Sequence, residues 1–499
     1  MSKFRVFWPV LHFVFSRVSA IFHNNEKPNQ NVTIQVATNE RTNERTNQRT
    51  ERTFTAFMTP LQTRFGSVVS VVVVAVAVST TATALVLHVV RRRWGRTITT
   101  TTTTTTKNAY EELIGNTPLV QLYHLSHITK RNIFVKMESL NPGGTGKDRA
   151  ALAMIIKAES NGGLPLPRST STTSIATSMK KLAQHHDNDE YDCILLLKAM
   201  QTSRTGGLVV EGTSGSTGIS LAALCAARGH ACLVVVPDDQ AMEKTTLLTT
   251  LGATVHTVPT AAISNPNHYV NKARRLAQMA KNKFNISAVF MDQFENEANY
   301  QIHYTTTGPE IYRQCHTTVD AFCMSAGTGG TIAGVGRYLT TVQPKVRIVL
   351  VDPPGSSLYH QVTHGILYAP QQSERRLQRH RYDTIAEGIG LDRMTRNLQL
   401  GTIHQAMTVT DQEAVDMAHF ILHHEGLWVG SSSSMNVVGA CRTALDLPEG
   451  ATVVTIVCDA GHRHVTRFWN QKFIEQRGLK WPGAAGEQRV PECFQMNLQ

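Results

Sequence analysis

From about Tyr110 onward, the sequence predicts an α/β fold with a parallel sheet. Short runs of β-branched residues alternate with Ala- and Leu-rich stretches that have the period of a helix. Strands that are separated by helices are joined by crossover connections, and such connections produce parallel strands. The predicted strands include Ile133–Lys136, Cys232–Val236, Val255–Val258, Val346–Val351 and Val453–Val457.

The positive charge of the chain is concentrated at its amino-terminal end. The 499 residues carry a formal net charge of +12, but residues 1–107 alone contain 14 Lys and Arg against 4 Asp and Glu. The rest of the chain is nearly neutral, so we expect no nucleic-acid partner. The eight cysteines form no C-x-x-C pair. We therefore expect reduced, buried thiols and no metal site.

Residues 1–107 are predicted to form a leader outside the folded domain. Met1–Phe22 is apolar with three basic residues and no acid, as in a targeting leader. The Asn-Glu-Arg-Thr repeat that begins at Asn39 and the run Thr99–Thr106 have almost nothing to bury, so both are predicted to be disordered. We expect the folded domain to span residues 108–475 and a tail to occupy 476–499.

A membrane helix is predicted within the leader. Val68–Val90 has 23 residues without a formal charge, 11 of them Val. As a helix it would extend about 35 Å, which is enough to cross a hydrocarbon core of roughly 30 Å. The arginines at 91, 92, 93 and 96 favour the cytosolic side for the carboxyl-terminal end of this helix and for the domain beyond it. The alternatives are a buried Val-rich strand pair and a cleaved presequence.

One segment interrupts the α/β pattern. Gly162 to Gly207 is rich in Ser, Thr, His and Asp. A loop of this length is unusual inside a compact domain, so the segment is predicted to be a low-complexity surface insertion.

The first segment with chemical content is Asn141–Arg149, in which a glycine-rich turn delivers Lys147 to the start of a helical stretch. The positive end of the helix dipole disfavours the ammonium form of a lysine at that position. Such a lysine is suited to form a Schiff base and then to act as a base. Taken alone, the segment is more typical of a surface lysine that comes after a loop.

Three further loops each precede a predicted helix, and two of them come directly after a strand. Ser325–Thr331 is glycine-rich and offers N–H groups for a phosphate, although it lacks the spacing of a P-loop or a dinucleotide fingerprint. Glu211–Gly218 carries hydroxyl and N–H groups that suit a carboxylate. The serine run Ser431–Ser434 comes after Gly430 and could merely cap a helix.

In this order, the four segments resemble fold-type-II pyridoxal-phosphate enzymes, particularly cysteine synthase (O-acetylserine sulfhydrylase) and cystathionine β-synthase. Further matching segments are Asn116–Val120, Gln293–Asn296, Thr306–Glu310 and Glu387–Gly390. The resemblance extends from about Tyr110 to about Phe473, except for the predicted insertion. It implies two three-layer α/β subdomains with pyridoxal 5′-phosphate in the cleft between them.

The resemblance also implies roles for individual residues. Lys147 would be the Schiff-base lysine, and Ser432 would bind the pyridine nitrogen, with Ser433 as an alternative. The cofactor phosphate would be held by Gly327, Thr328, Gly329, Gly330 and Thr331. The substrate carboxylate would be bound by Thr213, Ser214, Gly215, Thr217 and Gln293. Gly388 would border the substrate side of the cleft.

The carboxylate loop departs from the family pattern at two positions. Ser216 stands where the family has an Asn that contacts the ring hydroxyl of the cofactor, and Gly212 stands where it has Pro. A Gly-and-Ser version resembles a fungal branch, cysteine synthase 2, which includes mitochondrial outer-membrane members. The resemblance thus implies a mitochondrial outer-membrane location with the catalytic domain in the cytosol. The mitochondrial matrix and the cytosol are alternatives.

The implied reaction is a β-replacement. Lys147 removes the Cα proton of an activated serine such as O-acetylserine, acetate leaves, and sulfide adds to give L-cysteine. The resemblance also implies a homodimer. The alternatives are cystathionine β-synthase or serine/threonine dehydratase activity, or a membrane-tethered, weakly active regulatory homologue.

Overall fold

A computed structural model of the protein describes residues 108–167, 172–183, 189–369 and 384–483. Within these residues, no helix is both long and apolar enough to cross a membrane. The predicted leader and its membrane helix Val68–Val90 lie outside the described residues. Six of the seven cysteines in the described part are buried.

Ten strands form two sheets in the described part of the chain. The larger sheet has the order β1-β2-β10-β7-β8-β9 and is parallel except for the antiparallel pair β1–β2. The smaller sheet has the order β5-β4-β3-β6 and is parallel throughout. The strands are β1 (Leu119–Gln121), β2 (Asn132–Met137), β3 (Gly207–Gly212), β4 (Ala231–Pro237), β5 (Thr254–Val258), β6 (Ser287–Phe290), β7 (Ala321–Ser325), β8 (Arg347–Asp352), β9 (Gln405–Thr408) and β10 (Thr452–Val457).

The helices connect and cover these strands. In chain order they are α1 (Ala109–Glu112), α2 (Tyr123–Thr129), α3 (Lys147–Ser160), α4 (Thr172–Ala183), α5 (Glu190–Met200), α6 (Ser216–Arg228), α7 (Met242–Thr250), α8 (Tyr269–Phe284), α9 (Ala298–Ile302), α10 (Gly308–Gln314), α11 (Gly330–Val342), α12 (Leu358–His364), α13 (Arg396–Gln399), α14 (Asp411–Glu425), α15 (Ser431–Leu445) and α16 (Gln471–Gln476). A π-helical turn, His303–Thr307, joins α9 to α10 without a break. Short 3₁₀ turns occupy Glu138–Leu140 and Gly461–Arg463.

Each sheet is covered by helices on both faces, because its buried strands are apolar on both sides. In β3, Leu208 and Val210 belong to one core cluster and Val209 belongs to another. In β7, Cys323 belongs to one core cluster of the larger sheet and Phe322 belongs to the other. The predicted α/β fold with two three-layer halves is therefore what the described residues form.

The prediction of a surface insertion at Gly162 to Gly207 needs correction. This segment contains α4 and α5, and α5 packs against β4 and β5 of the smaller sheet. Cys193, Leu196, Ala199 and Met200 of α5 are buried in the core cluster of that sheet. The residues around α5 are polar, so the composition of the whole segment does not indicate that one face of α5 is apolar. This part of the segment therefore belongs to a layer of the fold.

The predicted start of the tail at residue 476 also falls too early. Leu479 and Trp481 pack against the core of the larger sheet. The folded domain thus continues to at least residue 481.

Candidate active site

Lys147 lies at the first position of α3 and lines a cavity of about 290 Å³. The preceding turn is fixed by Asp148, whose Oδ2 accepts a hydrogen bond from the N–H of Gly143 at 2.6 Å. Burial lowers the pKa of the Lys147 amine, and the nearby Cys458 and Asp459 oppose that shift without offsetting it. More of the amine is therefore neutral than for a lysine in water, as a nucleophile or base requires.

The predicted carboxylate loop comes after β3 and leads into α6. Thr213, Ser214 and Thr217 line the cavity, whereas Gly215 does not. Gly215 has a φ of +131°, and a Cβ there would lie 2.5 Å from Cδ of Lys244. A glycine is thus required for the loop to turn beneath this lysine.

Gln293 joins the carboxylate loop from the end of β6. Its Oε1 accepts a hydrogen bond from the hydroxyl of Thr217, and its Nε2 donates to the carbonyl oxygen of Gly212 at 3.1 Å. Gln293 also lines the cavity, as does Ser216. The structure therefore brings together the loop and the distant glutamine to which the family resemblance gives one role.

The predicted phosphate loop comes after β7 and leads into α11. Gly327 and Thr328 line the cavity, whereas Gly329, Gly330 and Thr331 form the N-cap and first turn of the helix. No side-chain hydrogen bond from the described residues caps α11. Its first N–H groups are therefore available to an anion.

Gly327 and Gly329 of this loop lie too close to neighbouring atoms to carry a side chain. A Cβ on Gly327 would lie 2.2 Å from the carbonyl oxygen of Gly388, and a Cβ on Gly329 would lie 2.6 Å from Cβ of Leu398. Gly329 also has a φ of +83°, which favours glycine. The loop therefore presents backbone N–H groups with few side chains, which fits a phosphate.

The serine run forms the first turn of α15 and is entirely buried. Ser432 lines the cavity. The hydroxyl of Ser433 instead accepts a hydrogen bond from the N–H of Cys458 at 2.9 Å and thereby ties α15 to the end of β10. Of the two candidates for the pyridine nitrogen, the described contacts therefore favour Ser432.

Asp459, a residue with no role predicted from the sequence, lies just after β10 and lines the cavity. Its Oδ2 lies 3.0 Å from Nε2 of His464. Burial alone would raise the pKa of Asp459, but His464 and Lys244 hold it at about 2. The sequence could have indicated a role for Asp459 through its position directly after a predicted strand, because binding residues lie at the carboxyl ends of parallel strands.

A second acidic residue without a predicted role, Glu387, precedes Gly388 in the cavity wall. Its carboxylate pairs with Lys244 and also lies 3.1 Å from Nε of Arg467. Gly388 itself lines the cavity as predicted. The wall on this side thus carries charges of both signs, in contrast to the hydroxyl-rich loops opposite.

Comparison with known proteins identifies the class to which this site belongs. A family model described as "Pyridoxal-phosphate dependent enzyme" matches residues 110–179 and 191–459. The unmatched residues 180–190 fall inside the segment that was expected to be an insertion. The chain therefore belongs to the pyridoxal-phosphate dependent enzymes, and pyridoxal 5′-phosphate is its cofactor, as the resemblance implies.

Individual relatives narrow this class. "Cysteine synthase 2" from Schizosaccharomyces pombe is 42% identical over 376 residues, which cover 74% of this chain and 86% of that protein. A "Putative mitochondrial cysteine synthase" from Saccharomyces cerevisiae is 42% identical over 369 residues, with coverage of 73% and 84%. A crystal structure of O-ureido-L-serine synthase has a TM-score of 0.57 and 26% identity, and it covers 76% of this chain and 98% of that one. Within its family, the chain is thus an enzyme of the cysteine synthase type.

Proposed function

We propose that the protein makes L-cysteine from an activated serine, such as O-acetylserine, and sulfide. The observation that carries this proposal is the cavity, in which a lysine with a lowered pKa faces two loops that suit a phosphate and a carboxylate. When bound, pyridoxal 5′-phosphate supplies the electron-withdrawing ring that makes the Cα proton of the amino acid acidic. The protein supplies the orientation and the base.

Lys147 would hold the cofactor covalently and, once released, remove the Cα proton. Its lowered pKa favours the neutral amine that accepts this proton. Asp459 and Glu138 then stabilise the ammonium form, because both favour the positive charge on Lys147. The same amine can therefore take up the proton and return it to Cα after sulfide has replaced acetate.

The remaining assignments place the substrate and cofactor around Lys147. Ser432 would accept or donate a hydrogen bond at the pyridine nitrogen as a neutral group. Ser216 would approach the ring hydroxyl, and Gly388 would border the substrate. The phosphate would be bound by Gly327, Thr328, Gly329, Gly330 and Thr331. The amino-acid carboxylate would be bound by Thr213, Ser214, Gly215, Thr217 and Gln293.

We also propose that the protein is a homodimer and that Val68–Val90 anchors it in the mitochondrial outer membrane. The uncharged stretch and the arginines directly after it support an anchor with the catalytic domain in the cytosol. The yeast relative whose name includes "mitochondrial" supports the organelle. The family resemblance supports the dimer, which sedimentation of the purified protein would measure.

The proposed reaction is tested by supplying O-acetylserine and sulfide to the purified protein and measuring cysteine. We expect steady turnover and a visible absorbance band from lysine-linked cofactor. The Lys147→Ala variant should lose both while remaining folded, because it lacks the covalent link and the base together. Faster turnover of serine with homocysteine than of O-acetylserine with sulfide would refute the proposal. That outcome would favour the activity named for a "Cystathionine beta-synthase" from Apis mellifera, which is 32% identical.

A further inference from the structure

The helix that carries α9 and α10 contains a π-helical turn at His303–Thr307. Pro309 lies at the start of α10, where it has no N–H to donate to the preceding turn. Its ring would also collide with the carbonyl group four residues earlier in a regular α-helix. The wider turn relieves this conflict, and such turns frequently occur at functional sites.

The π-helical turn places His303 between two threonine hydroxyl groups. The side chain is 1% exposed, its Nδ1 lies 2.9 Å from Oγ1 of Thr307, and its Nε2 lies 3.1 Å from Oγ1 of Thr331. Burial lowers the pKa of His303 to about 3. The ring is therefore neutral at physiological pH, with one nitrogen that donates a hydrogen bond and one that accepts.

The contact between His303 and Thr331 is enforced by the packing of α11. A Cβ on Gly334 would lie 2.5 Å from the carbonyl oxygen of Tyr300 and 2.7 Å from Cβ of His303. A Cβ on Gly330 would lie 2.3 Å from Oδ1 of Asn299. Two glycines one turn apart thus allow α11 to lie directly against the helix that carries His303.

We propose that His303 is a positioning residue for the cofactor phosphate and acts through Thr331. Thr307 donates its hydroxyl hydrogen to Nδ1, and the hydrogen on Nε2 is donated to the oxygen of Thr331. The hydroxyl hydrogen of Thr331 is then left for a phosphate oxygen. This inference rests on the proposed assignment of Thr331 to the phosphate loop.

The opposite tautomer would remove this donor. If Nε2 accepted the hydrogen of Thr331, the single hydroxyl hydrogen would be used within the protein. The oxygen of Thr331 would then offer only lone pairs to a negatively charged phosphate. The tautomer of His303 thus decides whether the hydroxyl group of Thr331 can donate a hydrogen bond to the phosphate. The N–H groups of the first turn of α11 can donate with either tautomer.

The test compares two ligands that differ only in the phosphate. The full chain is freed of cofactor and titrated with pyridoxal 5′-phosphate and with pyridoxal, and binding is monitored by visible absorbance. We expect His303→Ala to lose about ten- to a hundredfold in affinity for the phosphorylated ligand. Its affinity for pyridoxal should change less than about threefold, because pyridoxal makes no phosphate contact.

Companion variants separate positioning from general damage to the fold. His303→Gln can present an amide near Thr331 and should recover part of the affinity. Thr331→Val removes the hydroxyl itself and should lose at least as much affinity as His303→Ala, and the double variant should lose no more than Thr331→Val alone. Thr305→Val is the matched control, because Thr305 lies exposed on the same turn and bonds only to backbone oxygens in the described structure.

Two results would overturn the proposal. An equal loss of affinity for both ligands would show that His303 only maintains the fold. An unchanged affinity for pyridoxal 5′-phosphate would show that Thr331 needs no such support. If His303→Ala does not fold, Thr331→Val and Thr307→Val provide the same comparison. A protein that binds cofactor in the expected pattern but makes no cysteine would refute the proposed function and leave this inference standing.

Discussion

The ammonium group of Lys244 pairs with the carboxylate of Glu387 at the cavity, and both side chains are almost fully buried, at 3% and 7% exposure. Lys244 belongs to α7 of the smaller sheet, whereas Glu387 lies in the loop that packs on the larger sheet. Burial alone would raise the pKa of Glu387, but Lys244 and His464 hold it below its usual range. The two halves of the domain are thus joined by a buried ion pair beside the predicted carboxylate loop.

Replacing Lys244 by Met should destabilise the protein by about 3 kcal/mol, since it leaves the carboxylate of Glu387 buried with less compensation. The free energy of unfolding is measured by urea titration. The Lys244→Met, Glu387→Met double variant should be more stable than Lys244→Met alone. As a control, Lys130→Met removes an exposed pair with Glu449 and should cost less than about 1 kcal/mol. Equal losses in the buried and exposed variants would contradict this prediction.

Ser216→Asn should change the rate of the reaction, because residue 216 lines the cavity and begins α6. A longer amide can reach the ring hydroxyl directly, and a hydrogen bond to a charged group contributes about 1.5–3 kcal/mol. Only the part of that energy present in the transition state accelerates turnover, so we expect a several-fold gain with O-acetylserine. If neither the cofactor spectrum nor turnover changes, Ser216 does not contact the cofactor.

Gly212→Ala should destabilise the protein by about 1–3 kcal/mol, as overpacking does in other cores. A Cβ there would lie 2.7 Å from both the carbonyl oxygen of Tyr269 and Cα of Val270. These are backbone atoms, so relieving the clash would require a shift of the main chain. Proline, the residue that the family has at this position, would also remove the N–H of residue 212, which donates a hydrogen bond to Oε1 of Glu211 at 3.0 Å. Gly483→Ala has open space and should be neutral, and the two melting temperatures are compared. Similar stability of both variants would argue against the close approach of α8.

Asp352→Asn should stabilise the protein most above neutral pH. Burial raises the pKa of Asp352 from 3.8 to about 7, although hydrogen bonds from Ser356 and Tyr359 oppose the shift. A carboxyl group with a raised pKa contributes stability below about pH 4 and loses it as pH rises to about 7. The advantage of the Asn variant should therefore grow between pH 4 and 7 and then level off. A difference in unfolding free energy that does not vary with pH would contradict the assigned shift.

Removing residues 1–107 should give a chain that leaves the membrane fraction and still binds cofactor, since every proposed site residue lies in the folded domain. The full chain should remain with membranes after an alkaline carbonate wash, which releases peripheral proteins. Release of the full chain by that wash would support the presequence interpretation of Val68–Val90.

Much of the fold can be predicted from patterns that are local in the sequence. The apolar runs of β2, β4, β8 and β10 are continuous, so the predicted strands fall within one residue or so of those observed. The edge strands β6 and β9 are short and partly exposed, and they offer no such run. Helix α5 is missed for a different reason, because its flanking residues are polar although its own buried face is apolar.

The candidate site also has features that can be predicted from the sequence and features that cannot. The loops around Lys147 and Gly327 combine glycines with a preceding strand or turn and a helix after it, and that order can be read from the sequence. The pairs Lys244–Glu387 and His303–Thr331 cannot be read from it, because their partners lie 143 and 28 residues apart. Such pairs are fixed by how the helices pack and by rotamers, which leave no periodic trace.

The π-helical turn makes the contact between His303 and Thr331 depend on the spacing of the chain itself. An α-helix advances about 100° per residue, so the deletion of one residue between 303 and 307 would rotate the two sides of the turn relative to each other by about that angle. His303 would then turn away from Thr331. Substitutions in this helix can be absorbed one at a time, but changes in its length cannot. Insertions and deletions should therefore be far rarer here than in the exposed connections of the same domain.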